Sequence, residues 1–500
     1  MAKALAKQTA ISQAAITFDG GLNRAENPDA LADNQMADVS NMYYEAGQNI
    51  LTTRSGLVHA AEPPPGLPAL VKLTAFIKDT LDAQLVAATS DGNLYRLDEA
   101  ASPPVWTLIT ALSATGIVPS LVTFNSKLII ADGGPALRAW DGETVVSLPD
   151  SPVGATALVE IGGRLAANSG QDLDGVALSA PEDEAKWLLD DGAVFLRAGY
   201  GDGLRVTGFG VISQDLVIFK HGKAGKRIMR LNAAGAATGW SLSQISQNLT
   251  AVGPHGVEFV GNNLLFADQG EIHDLAGVQQ YGDIQVGGVG RLINPLLNGK
   301  TVSEMRFLPK IGALLAFIEG DSQVLAFHPH NGAWTRLDFQ GLFLQSVCQA
   351  GDRIYLGGRN GRLYRLGLAE SRDEVGPAEY RDIAGLARSK VFTVPGEAVL
   401  RRTRLNYEAI TPGQGRLQVF GSDQVSPTTL LAWAAGPGLG RLSDAASPLA
   451  DASQPLGASA EARTISRARF RDAALSFQIT TTSGRIRLRQ CLAELAAVNG

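Results

Sequence analysis

The stretch Leu85–Asp98, LVAATSDGNLYRLD, reads as two short strands folded over a polar turn. Apolar residues dominate both arms, and Ser90-Asp91-Gly92-Asn93 is a run of turn formers in which Gly92 takes positive φ without a Cβ penalty. The signal returns at Arg353–Gly367, RIYLGGRNGRLYRLG. There Asn360-Gly361 supplies the turn, and Leu363-Tyr364-Arg365-Leu366 repeats the LYRL of Leu94–Leu97. Two copies so far apart predict a repeat protein.

Working outward, the same hairpin pattern occurs at Leu128–Leu148, Gly163–Trp187, Leu216–Ala233, Asn263–Gly277 and Ala313–Asp338, which makes seven signals. Their starts lie 35 to 53 residues apart, close to the spacing of four-stranded propeller blades. The expected class is all-β: a β-propeller of about seven or eight blades over residues 69–370. An elongated stack of hairpins is the alternative architecture. The 56 glycines among short apolar runs fit frequent turns. Glu62–Pro68, EPPPGLP, is a stiff joint that continues neither a helix nor a central strand.

Charge is unevenly spread. Met1–Glu370 carries 27 Lys and Arg against 37 Asp and Glu, whereas Ser371–Gly500 carries 16 against 12. An acidic body disfavours gripping nucleic acid over the whole surface and suits a wall that DNA slides past. Two cysteines, Cys348 and Cys491, imply no disulfide framework. The opening MAKALAKQTAISQAA lacks a continuous apolar core, and no run approaches a membrane span, so a soluble protein made in the cytoplasm is expected.

Residues 1–68 form an arm and a loop-rich lead-in. Met1–Ala15 is expected to be flexible, or a strand that orders only on a partner. In the lead-in, Leu31, Met36, Val39 and Met42 suggest one face of a short helix. Phe18-Asp19-Gly20-Gly21-Leu22-Asn23, Leu31-Ala32-Asp33-Asn34-Gln35, Asp38, Asn41 and Arg54-Ser55-Gly56-Leu57 follow in that order. This ordered set resembles the opening of the tail nozzle proteins (tail tubular protein B type) of short-tailed bacteriophages. Further on, Leu178-Ser179 before an acidic stretch and Trp187, the strand LRVTG and the strand LVIFK ending at Lys220 resemble the middle of the same family's propeller. The resemblance covers well under half the chain.

Residues 371–500 have a different texture and are expected to form a β-sandwich-like docking domain. Alternating segments run over Val399–Tyr407, Arg416–Phe420, Arg467–Ile479 and Arg485–Cys491, around a Gly/Pro/Ser/Ala-rich loop at Gly436–Gly457. Strand parity puts Arg467, Arg469 and Arg471 on one face, as it does Arg485, Arg487 and Arg489. Guanidinium favours bidentate pairing at interfaces, so these arginines are the candidate contact surface; cross-strand acidic partners on a solvated face are the bland alternative.

The remaining signals point away from catalysis. His328-Pro329-His330 offers two imidazoles on one side of an extended chain but lacks a third ligand at a metal-site spacing, so it reads as a turn between strands. Gly222–Arg227 lacks the glycine gap and the Ser/Thr of a phosphate loop and reads as a basic hairpin tip. Asp172-Leu173-Asp174-Gly175 begins like a calcium loop, but its glycine comes too early. Glu182-Asp183-Glu184 and Asp190-Asp191 read as a solvated acidic loop rather than a glycosidase pair. No G-x-S-x-G elbow occurs. No catalytic residue, cofactor or metal site is expected.

The resemblance implies a structural virion protein. It implies a homohexameric ring below the portal-adaptor complex, contacting the head-tail adaptor protein and tail fibre or spike proteins. It further implies a virion-tail location, assembly in the host cytoplasm, and phage DNA passing through the lumen during ejection without sequence-specific binding. A propeller binding module for a host receptor or tail partner, and a polysaccharide-degrading propeller enzyme, are the alternatives.

Overall fold

The computed structural model describes residues 11–78, 83–278, 283–435, 462–466 and 470–498. The chain divides into two compact units: Val58–Val324 with Phe339–Leu366, and the lead-in to Leu57 with Leu325–Asp338 and the chain from Gly367 onward.

The first unit is organised around seven inner strands: Leu70–Ile77, Ser120–Phe124, Leu158–Ile161, Arg205–Ile212, Val257–Val260, Val302–Leu308 and Leu344–Ala350. Each packs beside the next, and Leu344–Ala350 returns to Leu70–Ile77, so the inner strands close a ring of seven. From five of them an antiparallel four-stranded sheet grows outward in chain order. The sixth, Val302–Leu308, pairs with Ala313–Ile318. The seventh sheet takes three strands from the end of the propeller sequence and its outermost one, Gly56–Ala61, from the beginning. Six of the seven hairpin signals each fall on one blade of this unit; the signal at Ala313–Asp338 begins there with Ala313–Ile318, and its residues from Leu325 to Asp338 belong to the second unit.

The quoted hairpin shows why both arms are so apolar. Ala83–Thr89 and Asn93–Asp98 are the second and third strands of the first blade, and a blade is covered on both faces. Successive side chains point to opposite faces. Leu85, Ala87, Tyr95 and Leu97 pack with Tyr355 and Leu363 of the seventh blade, while Val86, Ala88 and Leu94 pack with Leu128, Ile130 and Trp140 of the second. Burying each large apolar side chain contributes about 1.5–3 kcal/mol, so stacked blade faces are the main source of cohesion. The turn needs Gly92, whose φ is +82°.

In the second unit the strand order is Ala333–Asp338, Met36–Ser40, Gly385–Ser389, Phe470–Ser483, Phe392–Ala409, Ile486–Val498, Leu51–Thr53, Met42–Tyr44. Gly413–Phe420 and Pro427–Ala435 add a hairpin beside Phe470–Ser483. The long strand Phe470–Ser483 pairs through residues 470–475 with Phe392–Ala409, and through 476–483 with Gly385–Ser389 and Gly413–Phe420. It passes from one sheet to the other, as a sandwich corner requires. Leu400, Leu405, Leu417, Val419, Leu475, Phe477, Ile479, Leu488 and Cys491 are buried there.

Three expectations change. The lead-in holds no helix at Leu31–Met42: Met36–Ser40 is a strand, and Met42 begins another. A register shift between Met36 and Asp38 inserts an extra residue, which turns Met36 and Val39 to the same side and imitates helical spacing. The arm is not free from Ile11 on: Ile11–Ile16 pairs antiparallel with Ile486–Val498 of the same chain, Ile11 opposite Ala496 and Ile16 opposite Cys491. Residues 1–68 are not a part of their own; the lead-in to Leu57 belongs with the C-terminal strands, and Val58 onward with the propeller. Gly436–Gly457 lies outside the described residues.

Candidate functional site

The ten lead-in residues that carry the family resemblance converge in the second unit. Phe18 adopts φ +62°, and its carbonyl accepts a hydrogen bond from the Tyr44 hydroxyl. The same hydroxyl accepts from the Gly21 amide at 3.1 Å. Burial pushes the Tyr44 phenol well above its ordinary range, so it stays a neutral donor. Gly20 lies against Asn34; a Cβ there would fall 2.8 Å from Asn34 Cγ. Gly21, at φ +70°, leaves no room beside Ala333 and Trp334, and the Leu22 amide donates to the Trp334 carbonyl at 2.8 Å. The Asn23 side chain donates to Gln35 Oε1 at 2.9 Å, and its own Oδ1 caps the amides of Ala25 and Glu26. Asp38 pairs with Arg336 at 3.0 Å.

At the centre is Arg54, 2% exposed. Its Nη1 and Nη2 grip the Asp373 carboxylate at 2.7 and 2.5 Å, and Asp373 is fully buried. Nε donates to Asn41 Oδ1 at 2.9 Å, and Nη2 also reaches the Asp338 carbonyl at 2.9 Å. Asn41 takes φ +55° and accepts from the Asp338 amide as well, while its Nδ2 donates to the Ala384 carbonyl. Gly56 is required because a Cβ would lie 1.9 Å from the Arg372 carbonyl oxygen. The Leu57 amide closes the arrangement on Asp373 Oδ1 at 3.1 Å. The motif is thus a knot that ties the lead-in, Ala333–Asp338 and Arg372–Gly376 together. Its planar five-donor cation is satisfied by geometry that lysine cannot reproduce.

Asp373 was not singled out from sequence. It lies more than 300 residues from Arg54, and nothing local marks it.

Of the arginine face, Arg467 and Arg469 lie outside the described residues, and Arg471 is placed only as a position in Phe470–Ser483. Arg485 is 4% exposed and turned inward, donating to the carbonyls of Thr53 and Leu368. Arg487 pairs with Glu45 at 2.7 Å and Glu408 at 3.0 Å, and Arg489 with Glu408 at 3.5 Å. The hydrogen bond to Glu45 holds the Arg487 guanidinium more firmly protonated than usual. These three arginines bind within the unit.

The other chemical candidates are likewise engaged. His328 is buried, with its Nε2 3.3 Å from Thr335 Oγ1; burial drives its pKa down to about 3. His330 Nε2 meets the Gln48 carbonyl at 2.7 Å, and the two imidazole centroids stand 6.3 Å apart. Among the described residues no group of three His, Cys, Asp or Glu is placed to hold a metal. Asp174 and Asp202 clasp the fully buried Lys220 at 2.7 and 2.8 Å, and Asp202 also takes Arg227 at 2.6 Å. Gly222–Arg227 is a hairpin tip, with Lys226 bound to Asp268 at 2.7 Å. Glu184 binds Lys127 and Asn125; burial raises its pKa, but these hydrogen bonds outweigh it and hold the carboxyl below the usual range. The mid-propeller motif residues Ser179 and Trp187 bond to backbone beside it.

Within the propeller unit a second concentration of charge was not anticipated. Lys72 of the first inner strand pairs with the buried Glu304 of the sixth at 2.5 Å, and Arg306 with Glu258 of the fifth at 3.4 Å. Burial raises the pKa of both carboxylates, with the cations opposing it. Beside them His255 is driven down to about 3 by burial, and Cys348 is pushed up to about 12.

No family model and no curated protein matches the sequence. Solved structures that resemble it include the computationally designed Ika8 protein, with TM-score 0.37, 12% identity, and coverage of 62% of this chain and 99% of that one. YCF48 from Cyanidioschyzon merolae aligns with TM-score 0.41 at 11% identity, over 62% of this chain and 98% of that one. The Myceliophteria thermophila Cps50 (Swd1) β-propeller domain aligns with TM-score 0.43 at 12% identity, over 62% and 98%. The chain is a β-propeller protein. Similarity at this level concerns fold alone and adds nothing about activity or partners.

Proposed function

We propose that the protein is a structural component of a short-tailed phage tail, of the nozzle type: a subunit of a homohexameric ring beneath the portal-adaptor complex that forms part of the DNA ejection channel. The observation that carries this reading is the Arg54 knot. Of the ten positions that resemble the nozzle family, Gly21, Leu22 and Asp38 tie the lead-in to Ala333–Asp338, and Asn41, Arg54 and Gly56 tie it to Ala333–Asp338 or to Arg372–Gly376. A subunit that must bear load between neighbours needs such a joint, whereas an enzyme would concentrate its specialised residues around a reacting atom. The acidic charge of the first 370 residues suits a channel wall from which DNA is released. The partners are further copies of the chain, the adaptor protein, and fibre or spike proteins.

The reading is tested by electron microscopy of the purified chain alone and with its adaptor. A six-fold ring with an axial hole is expected; a chain that stays monomeric with the adaptor present contradicts it.

A further inference from the structure

The outer strand of the third blade, Val194–Arg197, carries an exposed loop at each end, and the two loops are opposite in charge. Val194 lies across from Leu178 and Arg197 across from Gly175, so the loops open at opposite ends of the blade.

Past Arg197 the chain runs through Gly199-Tyr200-Gly201-Asp202-Gly203, whose three glycines take φ of +84°, +71° and +73°. The loop is fixed from beneath. Fully buried Lys220 binds Asp174 at 2.7 Å, Asp202 at 2.8 Å and the Ala198 carbonyl, and the Gly201 amide donates to Asp174 at 2.8 Å. What the loop presents is Tyr200, 78% exposed, with the Arg197 guanidinium 5.0 Å from its ring centre. Phe195 is exposed on the adjoining strand. The basic hairpin tip Gly222–Arg227 of the fourth blade lies alongside, where a Cβ on Gly203 would meet that of Ala224 at 3.6 Å. Arg205 and Lys223 are exposed there and make no ion pair among the described residues. A preordered aromatic beside unpaired cations has the make-up of an interface anchor, since little freedom is lost when it is covered.

Before Val194, Leu189–Asp191 forms a single 3₁₀ turn with no buried residue. Leu189 is 71% exposed, and Leu188 beside it is exposed as well. Asp190, Asp191 and Glu182 are exposed carboxylates without an ion pair among the described residues. This loop too is held in place: Arg164 donates to the carbonyls of Ser179 at 2.7 Å and Gly192 at 2.8 Å, and the Trp187 ring nitrogen donates to that of Glu184 at 2.8 Å. Both surfaces thus combine exposed apolar side chains with unanswered charge, and the charges are complementary. Lying at the two ends of one strand, they cannot meet within one chain, but they fit each other between two.

We propose that the Leu188–Asp191 turn of one copy docks on the Tyr200 surface of a second copy, with Asp190 and Asp191 facing Arg205 and Lys223 and the two leucines packing on Tyr200 and Phe195. The two surfaces differ, so the contact is head-to-tail, and each added copy leaves one surface of each kind open until a ring closes. The contact uses copies of this chain alone and goes beyond the proposed tail role, which it does not require.

Native mass spectrometry and sedimentation of the full chain test it. The wild type is expected to self-associate at a concentration of about 100 µM, well above the micromolar Kd of a modest interface, and added salt should weaken the association. Arg205→Glu with Lys223→Glu, and separately Asp190→Lys with Asp191→Lys, should each lower the association constant at least about tenfold, with thermal melts showing that both variants fold. Mixed in equal amounts, the two variants should associate again, because the native acidic turn of the first meets the native basic surface of the second. A monomeric wild type, variants that assemble as the wild type does, or a mixture that stays monomeric overturns the proposal. So does heparin binding to the Tyr200 surface without self-association, which would make that surface a polyanion site. Rings that form with the adaptor and are unchanged in both variants would overturn this contact and leave the tail role standing.

Discussion

Replacing Asp373 with asparagine tests the knot with almost no change in shape. The native carboxylate is fully buried and receives both terminal nitrogens of Arg54, which is itself 2% exposed. The substitution removes the counter-charge and turns one acceptor into a donor facing a guanidinium, leaving a buried cation whose remaining acceptors are neutral. Breaking one side of a buried ion pair costs about 3–5 kcal/mol. For a unit of this size each kcal/mol lowers the midpoint by about 2–4 °C, so a drop of about 6–20 °C is expected for the transition of the second unit. Calorimetry on the full chain reads it directly, and urea unfolding checks it at constant temperature. Arg54→Met combined with Asp373→Leu should recover part of the loss, because the double change removes the unpaired charge as well as the pair. A loss below about 1 kcal/mol, the range of an exposed pair, would refute the claim that this contact holds the segments together.

Gly56→Ala should fail to fold or lose several kcal/mol, since its Cβ would lie 1.9 Å from the Arg372 carbonyl, whereas Gly253→Ala, with open space around it, should be nearly neutral; thermal melts of the two compare them. Acid should destabilise the chain early. His328, ordinarily 6.5 and held near 3 when folded, binds its proton in the unfolded state first, so its contribution is complete above pH 6.5 and is lost as pH falls toward 3, at up to about 1.4 kcal/mol per pH unit. His328→Gln should flatten that part of the urea-midpoint profile against pH, and an unchanged slope would count against its neutral burial. Cys348 and Cys491, both buried and pushed up to about 12, should resist a thiol reagent at pH 8 in the folded protein and react fully in denaturant.

The hairpins were legible because their signals are local. Asp91-Gly92 and Asn360-Gly361 mark turns by backbone chemistry, and each apolar run is the two-sided interior of a blade. The closing strand Gly56–Ala61 was not legible, since its pairing with the seventh blade is a property of ring closure and leaves no trace in six residues. The lead-in misled through the irregularity at Met36–Asp38, where an extra residue gives a strand the spacing of a helix. Among the motif residues the sequence pointed to Arg54 but not to Asp373, because a buried aspartate and an exposed one look alike until the fold brings a guanidinium to it. Arg485 erred in the opposite direction. Strand parity grouped it with Arg487 and Arg489, yet it sits just before the strand begins at Ile486, where its side chain turns into the interior.

Imaging single particles of the chain mixed with its adaptor protein bears most directly on the proposed role. The account predicts closed six-fold rings with an axial hole. Isolated single subunits under the same conditions would contradict it.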